Sequence, residues 1–158
     1  MNLKCFFVAA LACLSLTAVK ASGKTKEEPK SGKADSAVIY IYRVGQFMGA
    51  GANWAMFVDE EKLCKLSNNK FMRVVVKPGK HTISSRIGGV GLFKKETEVE
   101  IEAESGGEYY VACNIKQSFT RARLEMIEVT KGTGKKQMEK MTLDNCQEKI
   151  DEKQAGGK

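Results

Sequence analysis

The 158 residues hold one histidine, two prolines and one tryptophan, and the shortage of histidine limits the chemistry open to the chain. His81 stands alone, which excludes a multi-histidine metal site. With no cysteine or carboxylate cluster beside it in sequence, it also lacks the partners that activate a nucleophile. No CxxC spacing occurs among the five cysteines, so thiol–disulfide catalysis and zinc binding lack their usual signature. Long apolar runs are missing too. The stretch from Cys5 to Val19 falls short of the roughly 20 residues a spanning helix needs. No repeat at a solenoid period is present.

Two glycine clusters resemble phosphate loops and fail on chemistry. Gly88-Gly89-Val90-Gly91 is followed by Leu92-Phe93-Lys94-Lys95 rather than by Lys-Ser/Thr and a helix. In Gly132-x-Gly134-Lys135, Val129 stands where the first glycine of that pattern belongs. The first reads as a flexible hairpin, the second as a hinge. Glu96, Glu98, Glu100, Glu102 and Glu104 line one side of an extended segment about 7 Å apart. Calcium needs oxygens converging from a turn or several segments. A solvated strand face is the expectation, and neither metal nor cofactor is expected.

What the chain does have begins with an address. Lys4, the apolar run and the small-x-small exit Val19-Lys20-Ala21 form the three regions of a signal peptide, with cleavage expected between Ala21 and Ser22. The alternative places a lipid on Cys13, because Ala10-Leu11-Ala12 loosely matches the small-residue box before a lipidated cysteine. Loss of residues 1–21 removes Lys4 and Lys20, lowering the formal charge from +7 to +5. The remaining 137 residues suit one domain. The excess base lies in Lys24, Lys26, Lys30 and Lys33 of a polar tail, so no concentrated patch for nucleic acid is expected. The leader also takes Cys5 and Cys13, leaving Cys64, Cys113 and Cys146. Cys64 and Cys113 lie in strand-like segments and are candidate disulfide partners, with buried unpaired cysteines as the alternative.

Residues 22–35 carry too little apolar surface to order and read as a linker. From 36 to 130 short strands follow one another: 37–43, 54–58, 62–66, 71–76, 81–86, 96–103, 109–115 and 124–129. The acidic turn Asp59-Glu60-Glu61 and the turn Lys77-Pro78-Gly79-Lys80 join pairs of them. Pro78 presets φ, Gly79 accepts positive φ, and His81 enters the next strand as a structural residue. Seven or eight short strands argue for a single antiparallel β-sandwich. Residues 131–158 read as a polar extension, with a marginal helix over 137–149 and a disordered tail from Asp151. Trp54, Phe47, Met48 and Phe93 lie in or beside glycine-rich connections, which makes them the candidate ligand or partner surface.

The set Ala37-Val38-Ile39-Tyr40-Ile41-Tyr42-Arg43, Phe57-Val58-Asp59, Leu63, Phe71 through Val76-Lys77-Pro78-Gly79-Lys80-His81 and Gly107-Glu108-Tyr109-Tyr110-Val111 resembles a bacterial family catalogued as domain of unknown function 2846. The resemblance spans roughly Ser36 to Val129. It implies an exported, often lipid-anchored, all-β domain without an assigned activity. The Pro-Gly-x-His turn also resembles that of PEGA sandwich domains, which implies attachment at the cell envelope. The weak lipid box before Cys13 departs from the lipoprotein members. The sequence expectation is therefore a periplasmic or secreted envelope protein with a non-enzymatic binding or structural role. Its partner would be an envelope protein or glycan, without nucleic acid and without a transmembrane segment in the mature chain. Two alternatives stand beside it: a carbohydrate- or lipid-binding module using the loop aromatics, and a membrane-associated lipoprotein anchored at Cys13.

Overall fold

The computed structural model describes residues 35–47, 50–87, 97–117 and 122–156. The leader, its cleavage site, Cys13 and nearly all of the linker lie outside these residues. Two sheets form the body. The five-stranded sheet runs in the order β8 (Ala122–Val129), β7 (Glu108–Gln117), β1 (Ala37–Arg43), β4 (Lys70–Val76) and β9 (Thr142–Leu143). The four-stranded sheet runs β3 (Glu61–Leu66), β2 (Trp54–Val58), β5 (Gly79–Ile87) and β6 (Thr97–Ala103).

The alternation expected of half-buried strands is present. In β6, Ile101 and Ala103 are buried while Glu98, Glu100 and Glu102 face water. In β4, Met72, Val74 and Val76 are buried and Arg73 and Val75 are exposed. These inward residues join Ile39, Ile41, Met56, Ile83, Val111 and Leu124 in one core between the sheets. Such alternation fixes register, since a slip of one residue would turn the whole apolar set to solvent.

The sandwich is not purely antiparallel. Strand β1 lies between β4, its antiparallel neighbour, and β7, to which it pairs in parallel from Val38↔Glu108 to Arg43↔Cys113. The β4–β9 pair is parallel as well. A parallel pair needs a long crossover, and the residues between β1 and β7 supply it by building β4 of this sheet and the four strands of the other. One side of the sandwich is closed by Thr97 of β6, whose hydroxyl donates to the Leu124 carbonyl of β8 at 2.5 Å.

Three other features differ from the sequence expectation. Where a polar hinge was expected, α1 (Lys131–Met138) forms. Thr130 caps it through its hydroxyl, and Lys131 and Lys135, one turn apart, both reach Glu108 at 2.7 and 3.3 Å. Gly134 allows the helix to lie on β7, because a Cβ there would meet the Tyr110 ring at 2.3 Å. Close approach, rather than flexibility, is the use of that glycine. Where a disordered tail was expected, α2 (Gln147–Gly156) forms, preceded by β9 in the middle of the expected helix. Finally, Cys64 pairs with Cys146 across 82 residues, while Cys113 is free and buried. The expected partners Cys64 and Cys113 belong to different sheets, and Cys113 faces the core.

Candidate functional site

The turn between β2 and β3 organises one end of the sandwich. Asp59 and Glu60 both have positive φ, +50° and +66°, which gives the two-residue turn the twist that its strands require. Asp59 offsets the strain of that backbone with its carboxylate. Oδ1 accepts from the Thr82 amide at 2.9 Å and Oδ2 meets His81 Nδ1 at 2.6 Å, while its own amide donates to the Thr82 carbonyl at 2.9 Å. The other ring nitrogen of His81, Nε2, lies 2.7 Å from the Lys77 carbonyl at the Pro-Gly turn. Gly79 in that turn has φ +135°, a conformation side chains disfavour.

Both neighbours of the imidazole are therefore acceptors. The imidazolium donates to both, whereas the neutral ring donates to only one. Burial opposes the charged form, but the Asp59 hydrogen bond, the Lys77 carbonyl and the charges of Asp59 and Glu102 outweigh it and raise the His81 pKa above its ordinary 6.5.

Beside this clamp a cleft of about 490 Å³ opens between the end of β4, the β2–β3 hairpin and α2. Val58, Leu63, Val74, Val76 and Ile150 supply an aliphatic floor, and Lys77, His81, Lys153 and Glu61 a charged rim. Lys153 pairs with Glu61, and its Nζ also lies 3.4 Å from the Lys62 carbonyl. Lys77 has no ion pair among the described residues. Such a cavity suits a hydrocarbon group with a polar end. Stacking aromatics, which a sugar site would use, are absent from this lining.

Of the aromatic surface expected from the sequence, Trp54 and Phe47 fall among the described residues, and the two differ. Trp54 is 2 % exposed and belongs to the core with Met56 and Val58, its companions at period two. That spacing is the signal in the sequence for a core position. Phe47 is 98 % exposed, on a loop pinned by Gln46, whose side chain accepts from the Ile115 amide at 3.0 Å and whose backbone pairs with Asn68. Met48 and Phe93 lie outside the described residues. Of Pro78, Gly79 and His81, His81 lines the cleft, and its ring reaches back to the Lys77 carbonyl at the start of the Pro-Gly turn. Sequence reasoning missed Asp59 as the partner of His81. Its only signal was an acidic residue in a tight turn next to a strand that pairs with the one after Pro78-Gly79.

Other reactive groups are closed off. Burial pushes the Cys113 thiol up to about 12, with the nearby Arg43 charge opposing, and Tyr42 is likewise raised to about 12 by burial and then by Cys113. Among the described residues no group of three or more His, Cys, Asp or Glu side chains could hold a metal ion. No helix among them is long and apolar enough to cross a membrane.

Comparison with known proteins gives a family. The family described as Protein of unknown function (DUF2846) matches residues 33–125, more than half of the chain. No curated protein matches.

Proposed function

The chain belongs to the DUF2846 family, and from that premise we propose that it is an exported protein of the cell envelope, acting through binding or structural contacts rather than catalysis. The observation that carries this reading is the Cys64–Cys146 disulfide. Disulfides persist in oxidising compartments and are rare in the cytosol. Of the three cysteines that survive loss of the leader, two are paired and the third is shielded in the core. The chemistry at the cleft supports binding rather than turnover. His81 has both ring nitrogens engaged, and neither a hydroxyl nor a thiol nucleophile lines the cavity.

The test is the intact mass of the protein from soluble and membrane fractions of its native cell, with and without reductant. The expected species starts at Ser22 and gains two hydrogens on reduction. A cytoplasmic species that retains residues 1–21 with all thiols reduced would overturn the reading. A membrane species carrying lipid on Cys13 would instead establish the anchored form.

The aliphatic floor favours one specific version of the ligand-module alternative, in which the cleft holds a short acyl chain. Methyl resonances of Val58, Leu63, Val76 and Ile150 should shift saturably when a monomeric anionic acyl amphiphile is titrated. Shifts that fail to saturate, or that spread over the whole surface, would remove this version.

A further inference from the structure

Strand β4 has a free edge that is covered in an unusual way. Along that edge the outward-facing backbone groups belong to Phe71, Arg73 and Val75. The Phe71 carbonyl accepts from the Asp144 amide at 2.8 Å, just after β9. At Arg73 the amide donates to Gln147 Oε1 at 2.9 Å and the carbonyl accepts from Gln147 Nε2 at 3.0 Å. At Val75 the amide donates to Gln154 Oε1 at 3.2 Å and the carbonyl accepts from Gln154 Nε2 at 2.8 Å. Two glutamine side chains thus imitate the backbone of a missing strand. An open edge is a template for pairing with another chain, and native folds cover such edges.

The cover is weakly built. Helix α2 buries only Gln147 and Ile150, so it has no apolar stripe to hold it. Its attachment to the four-stranded sheet is the disulfide from Cys146 to Cys64, the single buried side chain of Ile150, and Lys153, which makes an exposed pair with Glu61 and lies 3.4 Å from the Lys62 carbonyl. Exposed ion pairs contribute little.

We propose that the segment 144–156 is a removable cover, and that reduction of Cys64–Cys146 lets β4 pair antiparallel with β4 of a second copy of this chain. The redox step is ordinary exchange: a dithiol reductant supplies two electrons and two protons, the Cys64–Cys146 bond breaks to two thiols, and the reductant becomes a disulfide. Charge selects the register. Centred on Arg73, the pairing would set two guanidinium groups directly opposite, which is unfavourable. Centred on Val74, it sets Arg73 against Val75 in both directions and Val74 against Val74. Each Arg73–Val75 pair exchanges two backbone hydrogen bonds, so the amide and carbonyl groups released by Gln147 and Gln154 all regain partners. The inward row Met72, Val74 and Val76 then continues into the same row of the second copy, under a two-fold axis. Val75, 48 % exposed in the covered form, gains the aliphatic stem of the opposing Arg73.

The test uses the full mature chain at high micromolar concentration. Light scattering should give a monomer when oxidised and a doubled mass with a dithiol reductant, with the circular dichroism of the strands retained. Val75→Pro removes an outward amide and should keep the reduced protein monomeric. A reduced protein that is folded and monomeric overturns the proposal. Reduction that unfolds the strands as well overturns it too, because the segment would then not be removable from a folded sheet. Doubling that persists in Val75→Pro also overturns it, since the contact would then lie elsewhere.

Discussion

The strand body and the C-terminal segment of this protein are held by different physics. In the body, Ile39, Ile41, Met72, Ile83 and Leu124 are fully buried between two sheets, and the hydrophobic effect holds them there without directional bonds. In the segment after Thr130, one residue, Ile150, enters that core. Met138 and Met141 pack on a second, smaller apolar cluster around Tyr42 and Tyr110, and the remainder, from Asp144 onward above all, is fastened by directed contacts: Gln147 and Gln154 on β4, Asp144 Oδ2 on the Ser67 amide at 2.8 Å, Glu108 on two lysines, and a disulfide. Apolar burial resists local opening. Polar fastening on an exposed edge competes with water at every bond.

The comparison is broken most severely in the body. Ile41→Ala removes a side chain with no solvent exposure and should cost about 2–5 kcal/mol, read as a lower midpoint in denaturant for the whole molecule. A loss restricted to α2 would contradict the division. Next, Cys146→Ser should cost about 2–4 kcal/mol while leaving the β-sheet dichroism unchanged. Its readout is a separate early transition for the C-terminal segment. Gly134→Ala follows at about 1–3 kcal/mol, because the added methyl meets the buried Tyr110 ring and the helix must lift. Tyr110 environment by near-ultraviolet dichroism checks it, and Gly132→Ala, where the added methyl has open space, should be neutral or slightly stabilising.

Smaller effects sharpen the comparison within the cover itself. Gln147 is buried and Gln154 is not. Gln147→Ala should therefore cost on the order of 1 kcal/mol, and Gln154→Ala should stay within about 0.5 kcal/mol. Equal losses would mean that water does not reach the Val75 backbone. The smallest effect is pH dependence at the clamp. His81 has a folded pKa above its ordinary 6.5, so the folded state binds the proton more tightly. The stability this adds is complete below the ordinary value and is lost as pH rises through the folded one. Thermal midpoints across that interval should fall slightly, and Asp59→Asn should flatten the trend.

Legibility in the sequence follows the same division. All eight main strands could be read from β-branched and aromatic runs set between turn residues, and in β6 also from the period of two in Val99, Ile101 and Ala103. The parallel β1–β7 pairing could not be read, since alternation reports which face is buried and not which strand lies alongside. The C-terminal segment was opaque for a physical reason. Local propensity in Lys131-Gly132-Thr133-Gly134 argues against helix, and contacts made by Glu108 and Tyr110, distant in sequence, override it. Cys146 sits in a polar stretch that gives no sign of Cys64 nearby. Beside the cleft, the turn Pro78-Gly79 leading into His81 was legible, whereas the role of Asp59 depends on the β2–β5 pairing that sets Val58 against Ile83. Trp54 stands next to a glycine-rich connection, which points to a loop, while its period with Met56 and Val58 marks it as core.

The most direct test of this division is amide hydrogen exchange on dilute protein, before and after reduction of Cys64–Cys146. The account predicts that the Arg73 and Val75 amides, protected in the oxidised protein, exchange rapidly once reduced, while the amides of Ile39 and Ile41 stay slow. Unchanged protection at Arg73 and Val75, or loss of protection at all four together, would contradict it.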